Sequence, residues 1–128
     1  MIAPVVPGLN DSEMPRILAA AAEAGAQSAA YVLLRLPLAV EPVFIEWLTR
    51  TQPEKSPRVL NRIRGTRDGS LNQAEFGERM RGSGAVADQI GDIFRVFSRK
   101  HGLDRPMPTL NCKSFRAPTD SAGQLRLF

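Results

Sequence analysis

The stretch of sequence that decides the fold reads Ser28-Ala29-Ala30-Tyr31-Val32-Leu33-Leu34-Arg35-Leu36 and is followed by Pro37. This run has the length of a strand and is apolar almost throughout. Parallel strands that are covered on both faces have this composition, whereas a strand with one face in water alternates between apolar and polar residues. The sequence therefore predicts a buried parallel strand at 28–36.

A second strand is predicted at the N-terminus, where the chain reads Ile2-Ala3-Pro4-Val5-Val6-Pro7-Gly8-Leu9-Asn10. The β-branched residues favour a strand, and the Pro-Gly pair favours a tight loop after it. Asp11 or Ser12 can cap a helix between the two strands, and Gly25 can end it. The apolar residues of that helix recur at helical spacing and are Met14, Ile17, Leu18, Ala21 and Ala22. A further amphipathic helix is predicted from about Glu41 to Arg50.

Strand, helix and strand form a parallel unit with two unpaired outer edges, and two strands cannot cover an apolar sheet. We expect the missing strands to come from another chain or from an N-terminal portion that this sequence lacks. The second explanation is favoured because the strand-like Ile2 directly follows Met1.

Length and composition indicate one domain with a modest core, since the chain has 128 residues of which 43% are hydrophobic. No run approaches the roughly 18 apolar residues of a membrane span, and no charged region precedes an apolar one as in a secretory signal. We therefore expect a cytoplasmic protein with no membrane partner. The single cysteine, Cys112, cannot form an internal disulfide or hold a metal cluster by itself, and we interpret it as an ordinary cysteine.

Charge is distributed unevenly along the chain. Residues 1–54 carry three arginines and six carboxylates, a net charge of −3, whereas residues 55–116 carry thirteen lysines and arginines and six carboxylates, a net charge of +7. Arginine prevails in that excess, and its planar guanidinium suits phosphate better than a lysine ammonium does. A polyanion is therefore the natural partner to expect for the second part.

The basic part contains two predicted helices, Pro57 to Gly65 and Val86 to Gly102, each ended by glycine. Arg58 and Arg62 share a helix face, and like charges on one face are costly unless an anion or solvent offsets them. We predict that this extension contacts nucleic-acid phosphates; a solvated face, or ion pairing with a missing part of a larger protein, is the alternative. The candidate residues are Arg58, Arg62, Arg64, Arg67, Arg79 and Arg81.

Four blocks of the sequence together resemble a known family: Ala3 to Asp11, Ala30 to Pro37, Val59 to Arg64 and Phe76 to Gly84. In combination they resemble the last barrel units and the following extension of radical SAM proteins related to spore photoproduct lyase, often described as DNA repair photolyases. The predicted fold class is then α/β, with partial, truncated βα barrel units at 1–54. A basic, mainly helical extension is predicted at 55–112 and a flexible tail at 113–128.

The resemblance implies chemistry that this chain cannot perform alone. Family members hold a four-iron four-sulfur cluster on a CxxxCxxC motif, and the cluster binds S-adenosylmethionine. This sequence has one cysteine and no such motif, so we expect it to bind neither group by itself. The resemblance leaves Pro7, Gly8 and Asn10 as cofactor-binding candidates. In the family, the corresponding loop lies at the barrel mouth, where the nucleoside of S-adenosylmethionine is held. The alternative is that Pro7 and Gly8 only form a turn and Asn10 only a cap.

The C-terminus reads Gln124-Leu125-Arg126-Leu127-Phe128 after a polar linker that is predicted to be flexible. It resembles the bacterial sliding-clamp binding motif Q-L-x-L-F, in which the glutamine bonds at a pocket rim and the apolar side chains fill a groove. Gln124, Leu125, Leu127 and Phe128 match, whereas Arg126 stands at a variable position where serine or aspartate is usual. The resemblance implies docking on the clamp; the alternative is that the tail packs on the protein itself.

These observations support three functional hypotheses. The first is the C-terminal part of a radical SAM enzyme linked to DNA repair, inactive by itself. The second is a non-catalytic adaptor that binds nucleic acid, the sliding clamp or both. The third, a small acid/base enzyme, is the weakest, because no carboxylate pair has a credible spacing and His101 has no paired nucleophile or base. No catalytic or metal-binding residue is predicted.

Overall fold

The computed structural model describes residues 1–107, 109 and 111–116 of the chain. Its regular elements, in chain order, are strand β1 (Ile2–Val5), helix α1 (Met14–Glu23), strand β2 (Tyr31–Leu33), and helices α2 (Val40–Thr51), α3 (Ser56–Arg64) and α4 (Gly84–Lys100). Short 3-10 turns lie at Asp11–Glu13 and Cys112–Ser114. Within these described ranges, no helix combines the length and the apolar character that crossing a membrane requires.

The two strands pair in parallel and form a two-stranded sheet. Ile2 lies opposite Tyr31 and Val5 opposite Leu33, with an irregularity between the two pairs. Just beyond β2, the backbone N–H of Leu34 donates to the carbonyl of Val5 at 2.9 Å. Parallel pairing requires a crossover between the strands, and α1 supplies it.

The predicted fold class is wrong. The four helices of the described chain hold 10, 12, 9 and 17 residues, whereas the strands hold 4 and 3, so the protein is mostly helical and not a βα barrel unit. The backbone at the end of β2 binds a loop and a side chain instead of a third strand. The N–H of Leu33 donates to the carbonyl of Met80 at 2.9 Å, and the carbonyl of Leu34 accepts from Arg67 at 2.9 Å.

The helices follow the predicted pattern more closely than the strands do. Each predicted helix forms near its expected bounds, and α1 buries Met14 and Leu18 as its periodicity indicates, whereas Ile17 of the same predicted face remains 39% exposed. Gly25 follows α1 with φ +86°, the left-handed conformation that commonly ends a helix. Helix α2 buries Leu48, whereas Trp47 on the same element remains 39% exposed.

The core consists of two hydrophobic clusters on either side of the sheet region. One cluster contains Val6, Leu34, Leu36, Leu48, Val59, Ile63 and Leu71. The other contains Val5, Met14, Leu33, Ala87 and Ile90. Each cluster joins residues from both sides of position 54, so packing is continuous between the acidic and the basic parts of the chain. Complete burial of a side chain such as Leu48 or Ile63 contributes about 1.5–3 kcal/mol. The apolar run after β2 is thus buried by helices, which explains why its composition resembles that of a central strand.

Candidate functional site

The loop that the sequence predicts to bind a cofactor is braced by its own side chain. The Asn10 side-chain oxygen accepts a hydrogen bond from the backbone N–H of Val6 at 2.7 Å. Its Nδ2 donates to the carbonyl of Pro4 at 3.1 Å. Both ends of the Asn10 amide therefore bind the backbone of the loop, and Pro7 between them is buried.

A side chain of α3 covers Gly8 in the same loop. Gly8 has φ +83°, and a Cβ at this position would lie 2.9 Å from Cδ of Arg62. The Arg62 guanidinium continues past Gly8 and pairs with Asp11 at 3.3 Å. Glycine is required here both for the backbone conformation and for the close approach of Arg62. A cofactor role for Pro7, Gly8 and Asn10 remains a prediction from the resemblance alone.

The predicted nucleic-acid arginines occupy four different environments. Arg62 is tied to Asp11, and Arg67 is buried with 1% of its surface exposed. The Arg79 guanidinium lies 5.2 Å from the ring centroid of the exposed Phe76. The three candidates that the structure leaves exposed are Arg58, Arg64 and Arg81. The structure therefore does not gather the six side chains into a single patch.

Arg67 connects the basic part to the sheet. Its Nη2 donates to the carbonyl of Leu34 at 2.9 Å and its Nη1 to the carbonyl of Glu78 at 3.1 Å. The Nε atoms of Arg67 and Arg35 are buried without a hydrogen-bond partner in the described chain. Burial lowers the pKa of Arg67, and the positive charge of Arg35 lowers it further. Arg67 therefore connects the end of β2 to the loop that precedes α4 by hydrogen bonds to both.

A groove of about 700 Å³ lies between the beginning of β2, the loop around Gly82, and α4. Leu103, Asp104 and Arg105, which follow α4, form its remaining wall. This segment is held beside β2 by a hydrogen bond from the N–H of Ala29 to the carbonyl of Leu103 at 2.9 Å. This volume lies within the range of sites that hold small molecules, about 300–1,000 Å³. The polar and aromatic side chains that line it are Tyr31, Arg81, Asp88, Asp92, Phe94, Arg95, Ser98, Asp104 and Arg105.

An aromatic pair lines part of the groove. The rings of Tyr31 and Phe94 have centroids 4.8 Å apart and are tilted by 43°. The Tyr31 hydroxyl lies against Gly91 of α4, where a Cβ would come within 3.1 Å of it. Burial raises the pKa of Tyr31, the charge of Arg81 opposes that increase, and the nearby carboxylates of α4 add to it. The phenol is therefore neutral at pH 7 and able to donate a hydrogen bond.

Charges along the groove are only partly compensated by one another. Arg95 pairs with Asp92 at 2.7 Å, and Arg99, just outside the groove, pairs with Asp104 at 3.7 Å. Three lining side chains have no ion-pair partner within the described part of the chain: Arg81, Asp88 and Arg105. These charges are the groups of the groove that are available to a ligand.

Of the six candidate arginines, Arg81 lines this groove, and the sequence indicates it by its charge alone. Tyr31 lies in a predicted strand and Phe94 in a predicted helix, and neither position carries a local signal for a site. Gly91 within a predicted helix was the available hint, since an interior glycine in a helix usually has a packing reason.

The remaining candidates lie at the end of the chain. The proposed docking residues Gln124, Leu125, Leu127 and Phe128 fall outside the residues that the structure describes. His101 is half-buried and directly follows α4. The described residues contain no group of three or more histidine, cysteine, aspartate or glutamate side chains that could hold a metal ion.

Comparison of the chain with protein-family models, with curated proteins and with solved structures finds no match. The resemblance to radical SAM proteins therefore depends on the sequence blocks alone.

Proposed function

We propose that this chain is a non-catalytic adaptor that binds nucleic acid through arginine side chains and docks on a partner through its C-terminal peptide. One observation supports the first part. Among residues 55–116, several arginines are exposed or half-buried and have no carboxylate within 4.0 Å in the described chain: Arg58, Arg64, Arg79, Arg81, Arg105 and Arg116. An external polyanion would supply the missing negative charge.

The ion pairs that do form strengthen this interpretation. Arg50 is paired with Glu46 at 2.9 Å, and Arg99 is paired with Asp104 at 3.7 Å. The fold thus pairs some arginines with carboxylates and leaves others without an ion-pair partner in the described chain. Guanidinium groups bind phosphate by paired hydrogen bonds, so the uncompensated set favours phosphate contact in preference to any one base sequence.

The experiment compares two double variants that lose the same charge. Arg58→Gln with Arg64→Gln removes two uncompensated arginines, and Arg50→Gln with Arg99→Gln removes two that are ion-paired. Fluorescence anisotropy with labelled DNA across a salt series measures both affinity and its salt dependence. We expect the first pair to weaken binding and to reduce the slope of log affinity against log salt by about 2, while the matched pair has a smaller effect. Equal losses in the two double variants would contradict the proposal.

Docking by the C-terminal peptide is the second part of the proposal. It is supported by the four positions that match the clamp-binding motif, Gln124, Leu125, Leu127 and Phe128. Short peptides of this kind bind by filling an apolar groove of the partner. Replacing Leu127 and Phe128 by alanine is expected to abolish binding of the full chain to purified sliding clamp in a pull-down or calorimetric titration. Unchanged binding would refute docking without affecting the proposal for nucleic acid.

A further inference from the structure

We propose that the groove beside α4 takes one unstacked nucleotide of a single-stranded nucleic acid. The inference rests on the proposed function and adds to it a substrate class and a position. The groove offers aromatic rings, cationic groups and a hydrogen-bonding carboxylate within one cavity of about 700 Å³. A nucleotide has the matching parts, namely a planar base, an anionic phosphate, and exocyclic or ribose donors.

Aromatic rings are the first requirement for holding a base. Tyr31 and Phe94 are both half-buried and both line the groove, so part of each ring faces the cavity. Bases of single strands stack on aromatic side chains largely independently of sequence, because every base has a π-face. Gly91 allows the Tyr31 hydroxyl to lie close against α4, because a Cβ at this position would come within 3.1 Å of it.

The charges of the groove fit one nucleotide better than a long track of phosphates. Arg81 and Arg105 have no ion-pair partner in the described chain and provide cationic groups for a phosphate. Asp88 lacks an ion-pair partner too, and a carboxylate accepts hydrogen bonds from base amino or sugar hydroxyl groups. A run of phosphates would be repelled by Asp88, whereas a single phosphate can sit beside the arginines and a base can face this carboxylate.

The Tyr31 hydroxyl supplies one more polar contact. It makes no hydrogen bond to another group in the described part of the chain, although the side chain is half-buried. A neutral phenol can both donate and accept, so it can bond the edge of a base or a phosphate oxygen. Tyr31 thereby offers a flat surface and a hydrogen-bonding group to the same ligand.

The test measures binding of a labelled oligothymidine and of a duplex hairpin of equal charge by anisotropy. Tyr31→Leu is expected to weaken single-strand binding about ten-fold and to leave duplex binding within about two-fold, since one stacked base is lost. Tyr31→Phe should retain most of the affinity because it keeps the ring. Arg81→Gln should lower single-strand affinity more than Arg50→Gln, whose arginine is paired with Glu46 outside the groove.

A second measurement uses the unaltered protein and therefore does not depend on folding of the variants. The chain has one tyrosine and one tryptophan, so the ring signals of Tyr31 and Trp47 are separable by NMR. Added oligothymidine is expected to shift the Tyr31 signals and to leave those of Trp47, which lies on α2 outside the groove lining, unchanged.

The outcomes distinguish this inference from the broader proposal. Unmoved Tyr31 signals, together with equal single-strand affinity of the native chain and the Tyr31→Leu variant, would overturn the groove site. If the Arg58 and Arg64 double variant still lost affinity in that case, nucleic-acid binding by the arginine surface would stand. Absence of any nucleic-acid binding by the native chain would overturn both.

Discussion

The loop at residues 6–11 has a clear sequence motif but polar groups that are already bonded within the protein. The groove beside α4 has no clear motif but contains charged groups without ion-pair partners in the described chain. The loop carries the strongest local signal, a Pro-Gly turn followed by Asn10, and its polar groups are bonded within the protein by Val6, Pro4 and Arg62. The groove carries almost no local signal, and its charges are only partly compensated. Turn residues report backbone geometry, whereas a binding site is indicated by polar groups that the fold leaves without partners.

The largest expected effect is a loss of stability on substitution of Arg67, which connects the end of β2 to the loop before α4. Arg67→Ala removes hydrogen bonds to two backbone carbonyls and leaves a cavity at a position with 1% exposure. We expect the free energy of unfolding to fall by about 3–4 kcal/mol. Arg64→Ala, on the exposed side of α3, should change it by less than about 0.5 kcal/mol. Chemical denaturation followed by circular dichroism measures both, and similar values for the two variants would show that Arg67 is not the connection described above.

A smaller loss of stability tests whether the Arg62 side chain packs directly on Gly8 in the loop at residues 6–11. Gly8→Ala introduces a Cβ 2.9 Å from Arg62 at a residue with φ +83°, whereas Gly25→Ala has the same backbone problem at φ +86° with no atom within 4 Å. We expect a loss of about 1 kcal/mol for Gly25→Ala from backbone strain alone, and about 2 kcal/mol for Gly8→Ala. Thermal melts of the two variants provide the comparison. A Gly8→Ala variant no less stable than the Gly25→Ala variant would mean that the loop has room for a ligand above Gly8.

The smallest expected effect is a decrease in stability at high pH, caused by ionisation of Tyr31 in the groove. The pKa of Tyr31 is raised above its ordinary value of 10.0 in the folded protein, chiefly by burial. The unfolded chain therefore loses this proton at lower pH than the folded one, and stability should decrease as the pH rises above about 10. Below that pH the phenol is neutral in both states and contributes no pH dependence.

Tyr31→Phe is the control for this effect, because it retains the ring and removes the titrating group. The difference in melting temperature between the native chain and this variant should be constant up to about pH 10. Above that pH the melting temperature of the native chain should fall relative to that of the variant. Absorbance of the tyrosinate near 295 nm reports the same ionisation directly, since the chain has one tyrosine. A midpoint at or below the ordinary value would show that solvent reaches the Tyr31 hydroxyl freely.

The predictable parts of the structure are those with local causes. Apolar spacing predicted α1, and the structure confirms burial of Met14 and Leu18 but leaves Ile17 39% exposed. The helix predicted from Pro57 to Gly65 forms as α3 and buries Val59 and Ile63. The strand at 28–36 was predicted too long because an apolar run has the same composition whether a sheet or helices cover it. Leu36 is buried by helices, and that packing has no signature in the run itself.

Arginines illustrate the same limit at the candidate site. Arg58, Arg62 and Arg67 look alike in the sequence, yet the first is exposed, the second is paired with Asp11, and the third is buried against backbone carbonyls. Pairing depends on residues that are distant along the chain, as Asp11 is from Arg62. Composition can therefore indicate an excess of positive charge without showing which side chains carry it to the surface.

The sequence by itself determined the helices, the turn at Gly8 and the helix end at Gly25, because each follows from residues within a few positions of one another. It also determined the asymmetry of charge, which is a property of composition alone. Only the tertiary structure decided that the sheet has two strands in the described part of the chain, that Arg67 binds the carbonyl of Leu34 just beyond β2, and that Tyr31 and Phe94 meet in a groove. Those features require contacts between segments far apart in the chain. Such contacts depend on which surfaces pack together, and local propensity does not specify that choice.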